Sequence, residues 1–493
     1  MSYKDAERVV SVRLDQGRLA GATTYAYANR FASFVISLGS LAILARLLTP
    51  HEFGLVAMVA TFAGLLTSLR DFGLSAAAIQ SIEFSSRDRD SLFWYNAFLT
   101  ALTSAFVVLA APLVSDFYRE RGLAPLLYLS SAGLLASGLS SVHAALLRRD
   151  FNLKGIFFAE IGGLAIGAVV STLLAYLTES AISVVLGTLA QAVSTSLITF
   201  FFGSWVPTMD GAIRSGLHHL IFGVRVGSFT VLNYITNNIG SVAIGYQSGS
   251  AAMGFFSRAQ NLYALPVSFV LTPYLQVQFP LLCRVQGDLQ RTREVYGRLL
   301  TLTSMVFIPL AALLPFIAVP GTTLVLGPQW GPAGEILAWL SPSLAAIGLI
   351  GPFAQFMTSQ GRVVELQWWG VADVVLRGGG ALVGSYFGPT YAAAGFSLAT
   401  LLLAVPIITW ITQRDGTFSF ADYAKACVPG VLTSLAVGGA AFAVSQFMVG
   451  HSFGPLVEPG VILSSAALVW LMLAATFHLS SIQIPSSSSR REN

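Results

Sequence analysis

Long apolar segments follow one another along the chain and are separated by short polar connections. A helix needs about 20 mainly apolar residues to cross a bilayer, whereas strands of a transmembrane β-barrel alternate apolar and polar residues over about ten positions. The segments are long and do not alternate, so the pattern predicts an all-α polytopic membrane protein with fourteen spans. The predicted spans cover residues 22–48, 53–80, 93–115, 123–147, 156–177, 182–203, 224–246, 251–282, 297–319, 334–358, 366–387, 391–412, 424–447 and 457–478.

The composition supports this fold class. Hydrophobic residues make up 55% of the 493 positions and charged residues 10%, with a mean hydropathy of +0.71, whereas soluble domains contain about 25% charged residues. The charged N-terminus lacks the features of a removable signal peptide. Two cysteines, Cys283 and Cys427, offer neither a disulfide framework nor metal-ligand spacing. We therefore expect no metal site and no bound cofactor.

Basic residues predict the orientation of the spans. With the N-terminus inside, 20 of the 27 Lys and Arg residues fall in cytoplasmic segments and three on the opposite side. Cytoplasmic connections of membrane proteins carry such an excess. The pattern therefore predicts that both termini are cytoplasmic, and the net charge of +4 reflects topology and not nucleic-acid binding.

Two short segments indicate an internal duplication. TPHEFGL (49–55) opens the second predicted span and GSAAMGF (249–255) opens the eighth, with Gly54 and Gly254 at matching positions. Six helices separate the copies, so both enter the membrane with the same polarity, as in transporters built from parallel repeats. The predicted division is an N-lobe at 1–210, a C-lobe with an interfacial linker at 211–412, and two extra helices with a disordered tail at 413–493.

Four arginines lie inside the predicted spans, where charged groups are costly and usually face a bundle interior or a water-filled cavity. At 1.5 Å per residue, Arg30, Arg70 and Arg377 lie about 12, 15 and 16 Å from the cytoplasmic face, and Arg258 about 10 Å from the outer face. Guanidinium groups bind phosphate and carboxylate in a bidentate manner. These residues predict a positive cavity for an anionic substrate, whereas an exporter of organic cations predicts an acidic one.

Other interpretations of these charges stay open. Asp373 and Arg377 are four residues apart and can form a structural pair on one helix face, and Arg30 and Arg70 can extend toward the interface. Asp71 and Asp373 are candidate proton sites. The chain has no Walker A, HExxH or GxSxG motif, so we expect no enzymatic activity, and transport would be coupled to a proton or sodium gradient or to the substrate gradient itself.

Two segments resemble a known family. LARLLTPHEFGLVAMVATFAGLLTSLRDFGLSAAAIQ (44–80) resembles the first-hairpin signature of the bacterial polysaccharide-transport family, and GFFSRAQNLYALPVSFV (254–270) resembles its second-half signature. This family includes the Wzx-type flippases and belongs to the multidrug/oligosaccharidyl-lipid/polysaccharide exporter superfamily. Its first hairpins often have Ser-Asp where this chain has Arg70-Asp71, which suggests a substrate-specific role for Arg70.

The resemblance implies two lobes of six helices in a V shape with two additional C-terminal helices, located in the bacterial inner membrane. It implies alternating access for an undecaprenyl-pyrophosphate-linked oligosaccharide, which moves to the periplasmic leaflet for exopolysaccharide, capsule or O-antigen synthesis. A polysaccharide polymerase and a chain-length regulator are the implied partners. The family's cationic cavity corresponds here to Arg30, Arg70 and Arg258, with Arg377 as a further candidate, and we expect sugar hydroxyls to bind Tyr25, Asn29, Asn233, Asn237 and Asn238.

Three alternatives remain at the level of the sequence. A multidrug or cation antiporter shares the superfamily but predicts an acidic cavity and twelve core helices. A flippase for the peptidoglycan precursor shares fourteen helices and differs in the signature segments. A membrane glycosyltransferase or polymerase predicts a long external loop, and the connections between the predicted spans are short.

Overall fold

The computed structural model describes residues 16–71, 86–150, 152–203, 205–208, 216–414, 416–449 and 459–470, without the side chains of 16–24, 26–27, 71, 86–88, 216–227 and 448–449. The predicted linker before Gly216, the tail after Trp470 and the side chain of Asp71 lie outside this description. The helices are α1 (Gln16–Leu47), α2 (Pro50–Asp71), α3 (Ser86–Tyr118), α4 (Leu123–Arg149), α5 (Leu153–Thr178), α6 (Ala181–Phe202), α7 (Gly216–Pro266), α8 (Thr272–Arg284), α9 (Leu289–Leu326), α10 (Gly331–Ser359), α11 (Val363–Asp373), α12 (Gly379–Ser385), α13 (Pro389–Ala399), α14 (Val405–Arg414), α15 (Phe420–Val449) and α16 (Pro459–Trp470).

Eleven helical segments among the described residues are long and apolar enough to cross a membrane, which confirms the all-α polytopic class. The number is smaller than the fourteen predicted spans for three reasons. The seventh and eighth predicted spans are two helices that meet at a kink at Gly249 without a loop between them, so they count as one segment, Ser228–Arg284. The predicted span 366–387 is not apolar enough to be counted, since it contains two charged residues and three consecutive glycines. The last predicted span is described only at Pro459–Trp470.

The chain folds into two compact units. The first comprises Met1–Leu48 and Phe62–Gly227, and the second comprises Thr49–Thr61 and Ser228–Asn493. The N-terminal part of α2 therefore belongs to the second unit, together with the helices that follow residue 228. The domain boundaries proposed from the sequence stay predictions.

Small residues bring α5 and α6 close together in the first unit. The buried positions of α5 recur every fourth residue, which places them on one helix face. A Cβ added at Gly167 would overlap Gln191 on α6, and one added at Gly187 would overlap Ser171 on α5. Small residues allow transmembrane helices to approach closely in this way. The buried α5 positions are Gly155, Ala159, Gly163, Gly167, Ser171 and Ala175.

The second unit has a large apolar core and three π-helical turns. The turns are Val267–Leu271, Val374–Gly378 and Thr400–Ala404. A π-turn inserts one residue into a helix, changes the direction of the side chains around it and often occurs at functional sites. The largest fully buried side chains of the core are Trp330, Tyr296, Phe53, Phe256, Phe307, Phe353 and Phe356.

The matched glycines of the predicted duplication form a reciprocal helix crossing inside the second unit. A Cβ added at Gly54 would overlap the backbone carbonyl of Ser250, and one added at Gly254 would overlap the carbonyl of Pro50. Each glycine therefore contacts the residue four positions before its counterpart, as expected where two related segments meet about a twofold axis. Just before this crossing, Gly249 adopts φ +82° and ψ −179°, a backbone conformation that only glycine adopts readily.

Gly254→Ala should destabilise the protein. The new methyl group would overlap a backbone carbonyl that cannot move aside as a side chain can, and overpacking of this kind costs about 1–3 kcal/mol. Gly439→Ala is the matched control, because nothing lies within 4 Å of its added Cβ. Thermal unfolding of the purified protein in detergent, followed by intrinsic fluorescence, should give a lower midpoint for Gly254→Ala only. Equal midpoints for the two variants would contradict the close crossing.

Candidate substrate-binding site

A cavity of about 490 Å³ lies inside the second unit and collects several of the predicted site residues. Its walls come from α7, the π-turn Val267–Leu271, α8, α10, α13 and the π-turn that contains Arg377. The volume is within the range of ligand sites, about 300–1,000 Å³. Four predicted substrate-binding residues contribute to the lining: Asn233, Asn237, Asn238 and Arg377.

Asn237 and Asn238 keep their amide oxygens available to ligands because their amide nitrogens are engaged by the helix itself. Asn237 Nδ2 donates to the backbone oxygen of Asn233 at 2.7 Å and to Asn233 Oδ1 at 3.1 Å. Asn238 Nδ2 donates to the backbone oxygen of Tyr234 at 2.9 Å. An amide held in this way keeps an acceptor oxygen. The α7 wall of the cavity is therefore suited to ligands that donate hydrogen bonds, such as hydroxyl groups.

Arg377 and Asp373 form a buried ion pair. Their side chains are 3% and 4% exposed, Arg377 Nε donates to Asp373 Oδ1 at 2.5 Å, and Nη2 contacts Asp373 Oδ2. The Arg377 guanidinium also lies 5.3 Å from the ring centre of Phe396. The sequence left a structural pair and a functional pair open, and the structure confirms that the pair forms. Because both carboxylate oxygens of Asp373 accept from Arg377, its charge is compensated within the unit, and its role in ion coupling stays a prediction.

Arg258 lies in the second unit but outside the described lining of this cavity. Its guanidinium stacks on Phe53 at 4.5 Å from the ring centre, and Phe53 packs edge-on against Trp330. Among the described residues, no hydrogen-bond acceptor contacts its buried Nε. Such a guanidinium keeps donors available for an anion, so the predicted substrate role of Arg258 stays open.

The predicted residues of the first unit occupy different places on its helices. Arg70 is 5% exposed and its Nη1 donates to the backbone oxygen of Leu134 on α4 at 3.4 Å. A Cβ added at Gly138 would lie 2.8 Å from Arg70 Nη1. Arg70 is thus buried against α4, as a residue that joins two helices would be. Its predicted contact with substrate stays a prediction.

Tyr25, Asn29 and Arg30 lie on α1. Tyr25 is exposed and its ring packs against Phe157 at 5.8 Å. Asn29 Nδ2 donates to Glu160 Oε2 on α5 at 2.6 Å, and Arg30 is half-buried. The sequence did not anticipate the contact of Asn29 with an acidic residue, because these two positions lie 131 residues apart.

Sequence reasoning missed five polar residues of the second-unit cavity, which are Thr236, Gln260, Asn261, Tyr263 and Thr272. Thr236 lies on α7 close to the predicted asparagines, the next three fall within the quoted second-half signature, and Thr272 begins α8. Gln260 Nε2 donates to the backbone oxygen of Asn237 at 3.0 Å and thereby joins the parts of α7 before and after the kink at Gly249. For Thr236, the three-residue spacing from Asn233 was the available signal.

The comparisons with known proteins identify the family. A family model described as "Polysaccharide biosynthesis protein" matches residues 43–335, which include both signature segments. The chain belongs to this family. This result confirms the resemblance that the two segments indicate.

The named relatives of this member of the polysaccharide biosynthesis family are distant. The chain is 23% identical over 337 residues to the lipopolysaccharide biosynthesis protein WzxC of Escherichia coli K12, covering 67% of this chain and 68% of that protein. It is 23% identical over 397 residues to the succinoglycan biosynthesis transport protein ExoT of Rhizobium meliloti, covering 80% and 79%.

A solved structure shares the fold. The lipid II flippase MurJ in an inward closed conformation superimposes with a TM-score of 0.70, over 93% of this chain and 99% of that one, at 13% identity. At this identity the likeness concerns the fold alone. This member of the polysaccharide biosynthesis family is therefore a multi-pass membrane protein with a MurJ-like fold.

Proposed function

We propose that the chain is a flippase that moves an undecaprenyl-pyrophosphate-linked oligosaccharide from the cytoplasmic to the periplasmic leaflet of a bacterial inner membrane by alternating access. The observation that carries this proposal is the second-unit cavity in a member of the polysaccharide biosynthesis family. The cavity combines amide oxygens for sugar hydroxyls with a buried guanidinium. The relative ExoT, named as a succinoglycan biosynthesis transport protein, supports a role in transport.

The charges around the cavity do not suit an organic cation, because Asp373 is paired with Arg377 and the described lining contains no other carboxylate. Arg377 is the one charged residue among the described residues that line the cavity, and no acidic residue is among them. An antiporter for cationic drugs would instead need uncompensated carboxylates near its ligand. Arg258, whose guanidinium lies against Phe53 in the same unit, is the second cation that we assign to the anionic head group.

Arg30 and Arg70 complete the proposed set of cationic residues, and Asp71 and Asp373 remain the proposed sites of coupling to a proton or sodium gradient. In the periplasmic leaflet, the proposed lipid-linked repeat unit would be available to a polymerase and a chain-length regulator. Both termini are proposed to lie in the cytoplasm, in accordance with the distribution of basic residues.

Complementation tests the proposed function. Expression of the chain in a strain that lacks its own polysaccharide flippase should restore surface polymer and should lower the accumulated lipid-linked intermediate, measured by mass spectrometry. Expression in a strain depleted of its lipid II flippase is the parallel arm and should not restore growth. Rescue of growth in that arm, without restored polymer in the first, would assign the chain to the peptidoglycan precursor instead.

A further inference from the structure

The first unit contains a second polar cavity. None of the substrate-binding residues predicted from the sequence contributes to its lining. Its volume is about 530 Å³, and it lies between α4, α5 and α6. Apolar side chains would be the ordinary filling between three membrane helices, since polar groups in this environment are costly. Most side chains that line this cavity nevertheless carry a hydroxyl, amide or charged group.

One wall, formed by α6, presents polar groups without partners. Gln191, Thr195 and Thr199 line the cavity and lie four residues apart, so they share one face of the helix. Thr199 is 2% exposed. Among the described residues, none provides a hydrogen bond to any of these three side chains. Gln191 and Thr195 are half-buried and Thr199 is buried, so these side chains can offer hydrogen bonds to a molecule in the cavity, where polar groups are normally paired.

The opposite wall, formed by α4, presents acceptors. Ser137 and Ser141 line the cavity, and their hydroxyls donate to the backbone oxygens of Leu134 at 3.1 Å and Gly138 at 2.9 Å. A hydroxyl that has used its hydrogen still offers its oxygen lone pairs. A ligand would therefore donate hydrogen bonds to the serine oxygens of α4. The amide and hydroxyl groups of α6 can both donate hydrogen bonds to the ligand and accept them from it.

The charged groups at one end of the cavity neutralise each other. Arg148 Nη2 contacts Glu160 Oε1 at 3.0 Å, and Asn29 donates to Glu160 Oε2 at 2.6 Å. Glu160 is therefore engaged at both oxygens, and Arg148 has a counter-ion. A phosphate would need an uncompensated cation and a metal or ammonium ion an uncompensated carboxylate. The lining suits a neutral ligand that is rich in hydroxyl groups.

We infer that this cavity binds the uncharged glycosyl part of the substrate and reads its hydroxyl pattern, an assignment that rests on the proposed function. Sugar hydroxyls both donate and accept, as the two walls require, and the volume is sufficient for more than one sugar ring. Gln191, Thr195 and Thr199 are the residues that would distinguish one glycan from another. The second-unit residues would then serve a different portion of the head group.

Binding to the full chain in lipid nanodiscs tests this inference. The two probes are undecaprenyl pyrophosphate without sugar and the lipid-linked oligosaccharide extracted from a producing strain that lacks its flippase. The wild-type chain should bind the glycosylated lipid at least tenfold more tightly, because several hydrogen bonds of modest strength add to the affinity. A Gln191→Leu/Thr199→Val variant should lose about tenfold in affinity for the glycosylated lipid and should bind the bare lipid as the wild type does.

The matched control is Thr178→Val/Gln413→Leu, which makes the same two changes at exposed helix ends. Gln191→Leu alone provides a milder variant if the double variant unfolds, and it should lower the glycosylated-lipid affinity about threefold. A variant that keeps the full preference for the glycosylated lipid would overturn the inference while leaving the proposed function intact. A wild-type chain that binds neither lipid would overturn the proposed function and this assignment with it.

Discussion

The Asp373→Asn variant is expected to give a much lower yield of folded protein than the wild type. The substitution leaves the Arg377 guanidinium buried at 3% exposure without its counter-ion, and breaking a buried ion pair by removing one partner costs about 3–5 kcal/mol. This cost is a large fraction of the stability of a typical protein, about 5–15 kcal/mol. The measurement is the yield of monodisperse protein on size-exclusion chromatography in detergent, together with its thermal midpoint.

The double variant Asp373→Leu/Arg377→Met separates stability from function. Replacing both charges with apolar groups of similar volume is often neutral or stabilising, so the double variant should recover the yield that Asp373→Asn loses. It should still export poorly, because it removes the charged residue that lines the second-unit cavity. A stable Asp373→Asn protein that exports polymer independently of the membrane gradient would contradict the structural pair and favour ion coupling at Asp373.

Asn237→Leu is expected to reduce polymer export at least tenfold while the protein stays folded. Leu keeps the branched shape of Asn but removes the acceptor oxygen that Asn237 offers to a ligand, and a ligand hydroxyl left without a partner costs about 1–3 kcal/mol. Gln413→Leu is the matched control, since it replaces an exposed amide at the end of α14. Export is measured as surface polymer at equal amounts of membrane-inserted protein. Equal export by both variants would remove Asn237 from the substrate site.

The helices of this chain could be predicted from the sequence because apolar length alone determines whether a helix crosses a bilayer. The matching positions of Gly54 and Gly254 in the repeat could be read from the sequence, whereas the contact between their helices is a finding of the structure. The four-residue spacing of Asp373 and Arg377 permitted their pair. The polar residues predicted on α7 share a cavity with Arg377 because helical periodicity places Asn233 and Asn237 on one face.

Tertiary packing decided what the sequence could not. The position of Arg70 along its helix gives its depth in the membrane. Its burial, however, depends on the backbone of α4, more than 60 residues away in the sequence. The π-turn that contains Arg377 arises where an extra residue enters the helix, and no local motif announces it. The first-unit cavity needs hydroxyl groups from α4 and α6 together, and neither helix alone distinguishes this lining from the ordinary use of Ser and Thr in membrane helices.

We propose that this chain carries a lipid-linked oligosaccharide across the membrane. The most direct test uses proteoliposomes that contain the purified chain and the glycosylated lipid from a producing strain, with periodate added outside to oxidise only the exposed sugars. We predict that the oxidised fraction rises from about half in protein-free liposomes to nearly all with the wild-type chain, and stays near half with Asn237→Leu. The account would be contradicted if the oxidised fraction stayed near half with the wild-type chain while the same chain exposed lipid II in a parallel set of liposomes.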